Sequence, residues 1–218
     1  MTSLQLGSDA WVRWADPAAL AGREDEALTL LSSEERARLD ATIPSLARER
    51  LLWGRMLLRE LVGGLAAVSP PAVEIAARCI DCGGPHGRPV VVGGTDHVRA
   101  LTLSVSACAG MLVVGAADRI SIGVDVEPRA GTDERVRAIR QLTGHEEDPL
   151  RHWTQVEAVL KADGRGLRVD PANVQVDGRR AELDGTLYRL VDIPVNGDFV
   201  VSVALGQSIR PGGEAEPR

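Results

Sequence analysis

A glutamate and a lysine one helical turn apart are the residues of this sequence whose types and spacing best suit chemistry. The chain has 25 basic residues, and all of them except Lys161 are arginines. An ammonium is a compact, mobile charge that can give up a proton, whereas a guanidinium is rigid and stays charged. Glu157 precedes Lys161 by four positions, with Trp153 one turn earlier, so a helix would place them on one face. The plainer alternative is a weak surface ion pair beside a core tryptophan.

A pair of carboxylates upstream indicates a metal site. The segment 120–128 alternates apolar and polar residues, as a half-buried strand does. Asp125 and Glu127 are two positions apart and would point to the same side of that strand. A divalent cation would relieve their repulsion, and Mg²⁺ in proteins is usually held by one or two carboxylates together with substrate phosphates. Otherwise the segment is a solvated strand edge that ends in a turn at Pro128.

Five segments carry a resemblance to a known family, and they occur in the family's order. They are Arg50–Arg59, Cys82–Pro89, Leu103–Ser106, Gly123–Glu127 and Trp153–Leu167. Together they resemble the 4′-phosphopantetheinyl transferases of the surfactin-synthetase-activating (Sfp) type, over residues 35 to 205 or thereabouts. The shared features are a helix near the coenzyme A site, a G-R-P turn, a serine-bearing loop, a D-x-E strand and a W-x-x-x-E-x-x-x-K helix.

The resemblance implies an α+β protein built of two pseudo-symmetric α/β subdomains of the 4′-phosphopantetheinyl transferase fold, with the active site between them. We expect residues 1–117 to form the N-terminal subdomain and 118–206 the C-terminal one, followed by a disordered tail at 207–218. A faint repeat agrees with this division, because Gly110–Ala117 and Gly197–Ala204 are each a turn followed by an apolar strand.

The implied reaction transfers 4′-phosphopantetheine from coenzyme A to a serine of an apo carrier protein and releases 3′,5′-ADP. By resemblance, Asp125, Glu127 and Glu157 would bind Mg²⁺, or Mn²⁺ in its place. Phosphoryl transfer depends on positioning and charge neutralisation more than on covalent help from the protein. Glu157, directly or through a water, would take the serine proton, and Lys161 would neutralise or protonate the leaving phosphate.

The resemblance also assigns residues to coenzyme A. Arg50 and Arg88 would bind the phosphates of its 3′-phospho-ADP part, Gly87 and Pro89 would shape the adenine turn, and Ser104 would reach a phosphate. Lys161 would contact the coenzyme as well. The helix arginines admit a plainer interpretation, a solvated helix face, for Arg50 and for Arg59. Further arginines could add contacts: Arg36, Arg38, Arg48 and Arg55.

Two positions depart from the family pattern. The phosphate-binding histidine of the family is Val105 here, and the residue before the metal-site glutamate, often lysine, is Val156. A lost charged hydrogen bond costs about 1.5–3 kcal/mol, which would slow an enzyme without abolishing it. The alternative is a weakened or inactive transferase-fold protein that binds carrier protein or coenzyme A. A third hypothesis makes Cys108 the nucleophile of a thiol enzyme, although a buried apolar role fits a cysteine equally well.

The run Cys79-x-x-Cys82 with His86 has the spacing of half a zinc site. Structural zinc sites usually have a second ligand pair at similar spacing, and none follows here. Cys108 could supply a fourth ligand if the fold brought it near. The alternative is a small loop staple.

Composition limits the class of protein. At 218 residues and a net charge of −6, the chain lacks the excess of positive charge that a general nucleic-acid binder needs. No segment is long and apolar enough to cross a membrane, and no secretory signal pattern opens the sequence, so we expect a cytoplasmic protein. A chain with two similar halves is expected to work as a monomer. Which carrier it would modify, whether of fatty-acid, polyketide or non-ribosomal peptide synthesis, stays open.

Local patterns predict the elements that position these residues. Ser32 and Glu35 have capping-box spacing and should open a helix that runs to about Asp40. A longer helix is expected at 46–62, ended by Gly63-Gly64. A hairpin at 101–117 should precede helices at 132–142 and 150–162, with short strands at 173–205.

Overall fold

The computed structural model describes residues 1–43, 45–131, 133–143 and 147–208. This part of the chain is an α+β fold with two antiparallel sheets. The helices are α1 (Glu24–Leu30), α2 (Ser33–Ala41), α3 (Leu46–Ala66), α4 (Asp96–Arg99), α5 (Asp133–Thr143) and α6 (Pro149–Asp163). The strands are β1 (Thr2–Gln5), β2 (Ala10–Ala15), β3 (Ile75–Ala77), β4 (Pro89–Val91), β5 (Leu101–Cys108), β6 (Met111–Asp118), β7 (Ile120–Pro128), β8 (Gln175–Asp177), β9 (Arg180–Leu183), β10 (Thr186–Asp192) and β11 (Phe199–Ser208).

The two sheets repeat one topology. The first sheet has the order β1-β2-β6-β5-β4-β3, and the second has β7-β11-β10-β9-β8. Without β1, each half is a strand, a long helix and four further strands, with the last strand paired to the first. In this correspondence β6 matches β11, the two strands that contain the faint sequence repeat. The chain passes from one sheet to the other at Arg119, whose φ of 56° lies in the left-handed region.

The core has three layers of apolar side chains. One layer lies between the sheets and includes Val12, Val113, Val124 and Val203. The second lies between α3 and the first sheet, and the third between α6 and the second sheet. Alternation along the strands produces this arrangement, because successive side chains of a strand point to opposite faces. The long helices therefore cover the outer faces of the paired sheets.

The prediction that Gly63-Gly64 would end the third helix is wrong, since α3 continues to Ala66 and ends at Ala67 in the left-handed conformation. Gly63 instead allows a close approach: a Cβ there would lie 2.8 Å from the carbonyl oxygen of Val68. Its neighbour Gly64 has open space around it. The glycine therefore accommodates the returning chain and leaves the helix intact.

The capping box is confirmed, and it leads into a buried charge network. Ser32 accepts from the Glu35 backbone N–H, and Glu35 accepts from the Ser32 N–H. The Glu35 carboxylate is also 2.6 Å from Arg55 Nε and 2.7 Å from Arg59 Nη2. Arg59 is 3% exposed and donates to the Val73 carbonyl. The plainer interpretation of Arg59, as part of a solvated helix face, is therefore wrong.

Several other expectations can be compared directly with the structure. The hairpin at 101–117 is confirmed as β5 and β6, and helices occupy 133–143 and 149–163. Strand β11 extends to Ser208, two residues into the segment expected to be a disordered tail, and the remainder of that segment lies outside the described residues. None of the helices described here is long and apolar enough to cross a membrane.

Candidate functional site

Lys161 lies at the centre of a small polar cluster at the end of α6. Its Nζ donates to Asp125 Oδ1 at 2.6 Å and to Ser106 Oγ at 2.9 Å, and it lies 3.9 Å from Glu157 Oε2. Ser106 in turn donates to Asp125 Oδ1 at 2.8 Å. Strands β5 and β7 and helix α6 each contribute to the cluster, which therefore joins both sheets.

A glycine on β7 positions these groups. Gly123 lies under α6 so closely that a Cβ there would overlap the Ala158 carbonyl oxygen. Asp125 and Glu127 follow at alternate positions and so share the face on which α6 lies. The helix begins at an N-cap made by Asp148 and ends at Gly164, which adopts φ 91°. The close helix–strand contact sets the distance between the β7 carboxylates and the Glu157/Lys161 face.

Asp125 has one oxygen available for a cation. Its side chain is 5% exposed, and Oδ2 is buried with no hydrogen-bond partner among the described residues. A buried acceptor without a partner is costly, and a divalent cation would satisfy it. Glu127 is half-buried. The oxygens of the three predicted carboxylates do not all lie within 4.8 Å of one another. In the described chain, the ligand atoms of Cys79, Cys82 and His86 do lie that close together.

The Glu157 carboxyl has an altered acidity. Its side chain is 20% exposed, and partial burial raises its pKa above the ordinary value. The Lys161 ammonium acts in the opposite direction, and the carboxylates of Asp125 and Glu127 raise the pKa further. A carboxyl with a raised pKa holds a proton more readily, which suits a group that accepts one during a reaction.

Lys161 also lines a cleft of about 710 Å³ between the two halves, and the other side chains of the cluster are not part of its lining. Among the described residues that line the cleft, eight side chains are cationic and one, Asp81, is a carboxylate. The cationic residues are Arg38, Arg50, Arg55, Arg78, Arg88, Lys161, Arg165 and Arg168. Five of them are ion-paired with carboxylates: Arg55, Arg78, Lys161, Arg165 and Arg168. Arg38, Arg50 and Arg88 have no ion pair with another described residue, so they supply most of the positive charge that an anion in the cleft would meet.

All the residues assigned to coenzyme A by resemblance line this cleft: Arg50, Gly87, Arg88, Pro89, Ser104 and Lys161. Arg50 is exposed and makes no ion pair or hydrogen bond with another described residue. It lies close enough to Arg38 to lower the pKa of that guanidinium, after the larger effect of burial. Two neighbouring positive charges of this kind favour an anion between them.

Arg88, which was predicted to bind a phosphate, also has a structural role. Its guanidinium donates to three backbone carbonyls, those of Leu103 on β5, Ile122 on β7 and Ala162 on α6, at 3.1–3.2 Å. Burial lowers the pKa of Arg88. Since a guanidinium has five N–H donors, two of them remain for a ligand. Arg88 therefore links the two halves at the floor of the cleft.

Sequence reasoning gave no role to several residues of the site. Ser106 was noted only as part of the serine-bearing loop, yet it bonds both Asp125 and Lys161. The loop arginines Arg78, Arg165 and Arg168 carry no motif that would have indicated the cleft. Of the further helix arginines, Arg38 and Arg55 line the cleft, whereas Arg36 and Arg48 donate to the carbonyls of Leu28 and Leu39.

The two departures from the family pattern lie in different environments. Val105 lines the cleft, and its side chain meets α3 at Gly54, where a Cβ would lie 3.1 Å from Val105 Cγ2. Val156 is 1% exposed in the core between α6 and the second sheet, so a lysine there would bury its charge. Ser104 accepts the Val124 N–H at 3.0 Å, which leaves its hydroxyl proton for another partner.

Cys108 lies in the apolar layer between the sheets and is 7% exposed. A nucleophile needs access to its substrate and an adjacent base. The buried position supports the apolar role for this cysteine. It also lies outside the Cys79, Cys82 and His86 group, so Cys108 does not supply a fourth ligand there.

No family model matches the chain, and no curated protein matches its sequence. The likeness to phosphopantetheinyl transferases is therefore carried by the short motifs named above. What the geometry adds is independent of them: a polar cluster around Lys161 and a cationic cleft beside it.

Proposed function

We propose that this protein transfers the 4′-phosphopantetheine arm of coenzyme A to a serine of an apo carrier protein, with Mg²⁺, and releases 3′,5′-ADP. The observation that carries the proposal is the position of Lys161, which lines a cleft with eight cations and one carboxylate and is bonded to Asp125 and Ser106. The substrate would place a pyrophosphate and a 3′-phosphate in such a cleft. The short sequence motifs support the same chemistry, and they do so independently of the charge of the cleft.

The division of the cleft suits a substrate with two separate anionic groups. Arg38 and Arg50 lie on the α2 and α3 side, away from the carboxylates of β7. Lys161 and Arg88 lie on the floor, where they meet β5, β7 and α6. A terminal phosphate would bind at the first pair and the pyrophosphate at the second. Concentrated positive charge would also speed the encounter with an anionic ligand.

The chemistry of the residues present suits a hard divalent cation, although the three carboxylates would have to move closer together to share one ion. Asp125 Oδ2 is buried without a partner in the described chain, Glu127 lies on the same strand face, and Glu157 faces both from α6. Carboxylate oxygens are the ligands that Mg²⁺ prefers. When bound, the metal would neutralise charge on the pyrophosphate and make its phosphorus more open to attack.

The side chains of the cluster have distinct tasks in the proposed reaction. Glu157, directly or through a water that it orients, accepts the proton of the carrier serine. The serine oxygen forms a new P–O bond to the pantetheine phosphate while the bond to 3′,5′-ADP breaks. Lys161 uses two of its three N–H donors on Asp125 and Ser106, and the third is free to stabilise the leaving phosphate.

The experiment is to incubate the protein with coenzyme A, Mg²⁺ and a panel of apo carrier proteins, and to measure each carrier by intact mass. A gain of one phosphopantetheine arm, lost when Mg²⁺ is chelated, supports the proposal. We expect Glu157→Gln to lower the rate by at least about a hundredfold, as loss of a general base does. Glu182→Gln is the matched control, because Glu182 is exposed on β9 and should leave the rate unchanged. Absence of labelling with every carrier contradicts the proposal.

The second candidate is a protein that binds coenzyme A or a carrier without transferring the arm, and Val105 is the observation that favours it. This residue lines the cleft at a point where the family has a histidine. Its side chain packs against α3 at Gly54, where the absence of a Cβ lets it approach the helix closely. If Val105→His raises the transfer rate by about ten- to a hundredfold, the wild-type protein is a slow enzyme. Coenzyme A binding without transfer in both forms supports the binding role.

A further inference from the structure

The loop between β3 and β4, residues 78–88, forms one wall of the cleft and holds three side chains with metal-ligating atoms. Cys79 Sγ, Cys82 Sγ and a ring nitrogen of His86 all lie within 4.8 Å of one another. Cys82 Sγ is 3.0 Å from His86 Nε2. We propose that this loop binds a structural Zn²⁺ through Cys79, Cys82 and His86. The site is separate from the carboxylate cluster and does not depend on the transferase proposal.

The distances suit tetrahedral zinc after small adjustments. Zinc binds cysteine sulfur at about 2.3 Å and histidine nitrogen at about 2.0–2.1 Å, which places neighbouring ligand atoms about 3.5 Å apart. The Cys82–His86 separation must therefore open by roughly half an ångström, which side-chain rotation on an exposed loop allows. Thiolate and imidazole ligands select zinc over Mg²⁺ or Ca²⁺, which prefer oxygen.

The backbone around the cysteines is already folded around their sulfur atoms. The Gly84 N–H donates to Cys82 Sγ at 3.4 Å, and the backbone N–H groups of Asp81 and Cys82 are directed at the Cys79 sulfur. The Cys79 N–H donates to the Gly84 carbonyl, and the Gly83 N–H donates to the Cys79 carbonyl. N–H groups directed at sulfur favour the thiolate form, which is the form that binds metal.

The loop lacks an apolar anchor of its own. Each residue from Arg78 to Arg88 is at least partly exposed, and the loop is tied to its surroundings mainly by polar contacts. Arg38 donates to the Pro85 carbonyl at 2.6 Å, and Arg168 pairs with Asp81 at 3.0 Å. A segment that cannot bury an apolar core needs a cross-link to become rigid. Zinc would provide it, next to Gly87 and Arg88 in the cleft wall.

The fourth coordination position is left to a water, or to Asp81 if its carboxylate turns from Cys79 toward the other two ligands. Asp81 Oδ2 is 3.7 Å from Cys79 Sγ, and Arg168 already orients the carboxylate. Two thiolates neutralise the charge of Zn²⁺. A carboxylate ligand would then be balanced by Arg168.

The test uses the full chain, reduced and stripped of metal, and titrated with Zn²⁺ against a chromogenic chelator. We expect about one zinc per chain, and with Co²⁺ the absorption bands of a tetrahedral site with thiolate ligands. Cys79→Ser and Cys82→Ser should remove the cobalt bands. Loss of a residue that only hydrogen-bonds to a metal ligand weakens metal binding by about ten- to a hundredfold. His86→Ala removes a ligand itself, so it should weaken zinc binding by more than that. Cys108→Ala is the matched control and should bind as the wild type does.

Hydrogen exchange of residues 78–88 supplies a second measurement that does not depend on activity. Zinc should slow exchange in this loop in the wild type and in Cys108→Ala, and not in Cys82→Ser. Circular dichroism of each variant shows whether the rest of the chain stays folded. The proposal is overturned if the reduced wild type binds no zinc, if binding survives Cys79→Ser and Cys82→Ser, or if a Cys79–Cys82 disulfide forms in preference to the metal complex.

Discussion

Lys161 combines a structural and a chemical task at the level of single residues. Its ammonium is paired with a carboxylate that is 5% exposed, so it supplies the partner of a charge that lies inside the protein. An arginine fork could not present one compact donor to Asp125 and another to Ser106 in the same way. This explains why a lysine is used at this position of an arginine-rich chain.

We expect Lys161→Ala to lower the free energy of unfolding by about 1–3 kcal/mol, because it leaves the Asp125 carboxylate buried with Ser106 as its remaining described donor. Adding Asp125→Asn should recover part of this loss, since it removes the uncompensated charge. Urea unfolding at neutral pH measures both changes. Arg151→Ala is the matched control: its partner Asp192 is 41% exposed, and an exposed pair is worth about 0–1 kcal/mol. A double variant no more stable than Lys161→Ala would contradict this account of the cluster.

The sole tyrosine of the chain, Tyr188, lies in the apolar layer between α6 and the second sheet. Burial raises the pKa of Tyr188 to about 12, and the Asp163 carboxylate, to which its hydroxyl bonds, adds to the effect. We expect the tyrosinate absorbance of the folded protein, read after a rapid pH jump, to have its midpoint near that value.

The same shift predicts how stability depends on pH. Because the folded pKa lies above the unfolded value of about 10, Tyr188 contributes stability that is complete below that pH and is lost as the pH rises through the folded pKa. The chain unfolded in urea is the control and should titrate near the ordinary value. A folded midpoint equal to the unfolded one would remove this source of alkaline instability.

At the scale of elements, the packing of α6 on β7 decides whether the site exists. Gly123 supplies the contact, since its missing Cβ leaves space for the backbone of Ala158 and Ala162. The alternation of β7 then places Asp125 and Glu127 under the helix. Glu157 and Lys161 are brought to them by helical periodicity alone. The site therefore depends on one close approach between two elements.

We expect Gly123→Ala to lower the free energy of unfolding by about 3 kcal/mol or more, the upper end of what overpacking costs. The reason is that the added Cβ meets backbone atoms, which cannot rotate away as a side chain can. It should also abolish carrier labelling by displacing α6. Gly64→Ala is the matched control. Gly64 is a helix-interior glycine with open space around it, and alanine there should stabilise by about 0.5–1 kcal/mol. Thermal unfolding separates the two outcomes, and equal effects at both positions would contradict the packing argument.

At the scale of the whole molecule, the distribution of charge matters more than its sum. The chain carries a net charge of −6, yet the cleft between the two halves is lined by eight cations. Arg88 joins the halves there through three carbonyls. The repeated topology creates this junction, because each half contributes a sheet and a helix to it.

We expect coenzyme A to bind less tightly as salt rises, since exposed charges are screened. Arg50→Glu should weaken binding by about tenfold or more, the loss of one charged contact. Arg180→Glu makes the same charge change on an exposed residue of β9 that does not line the cleft, and it should have little effect. Isothermal titration at two salt concentrations measures these changes. Equal losses in both variants would show that net charge, and not the cleft, controls affinity.

Local patterns in the sequence determined the elements and the main chemical groups. The capping box predicted the start of α2, the apolar runs predicted the β5–β6 hairpin, and the spacing of Glu157 and Lys161 predicted their shared helix face. These signals succeed because they depend on residues within one or two turns of each other. They also predicted that Asp125 and Glu127 would share a strand face.

The tertiary structure alone decided which distant residues meet. It placed Ser106 between Asp125 and Lys161, buried Arg59 against Glu35, and made Gly63 a contact for the returning chain. It also gathered arginines from separate loops around one cleft. Such contacts join residues far apart in the chain, and neither helical nor strand periodicity carries information about them. A glycine or arginine obtains its role from what the fold brings beside it, which is why the sequence determined the parts and the packing decided the site.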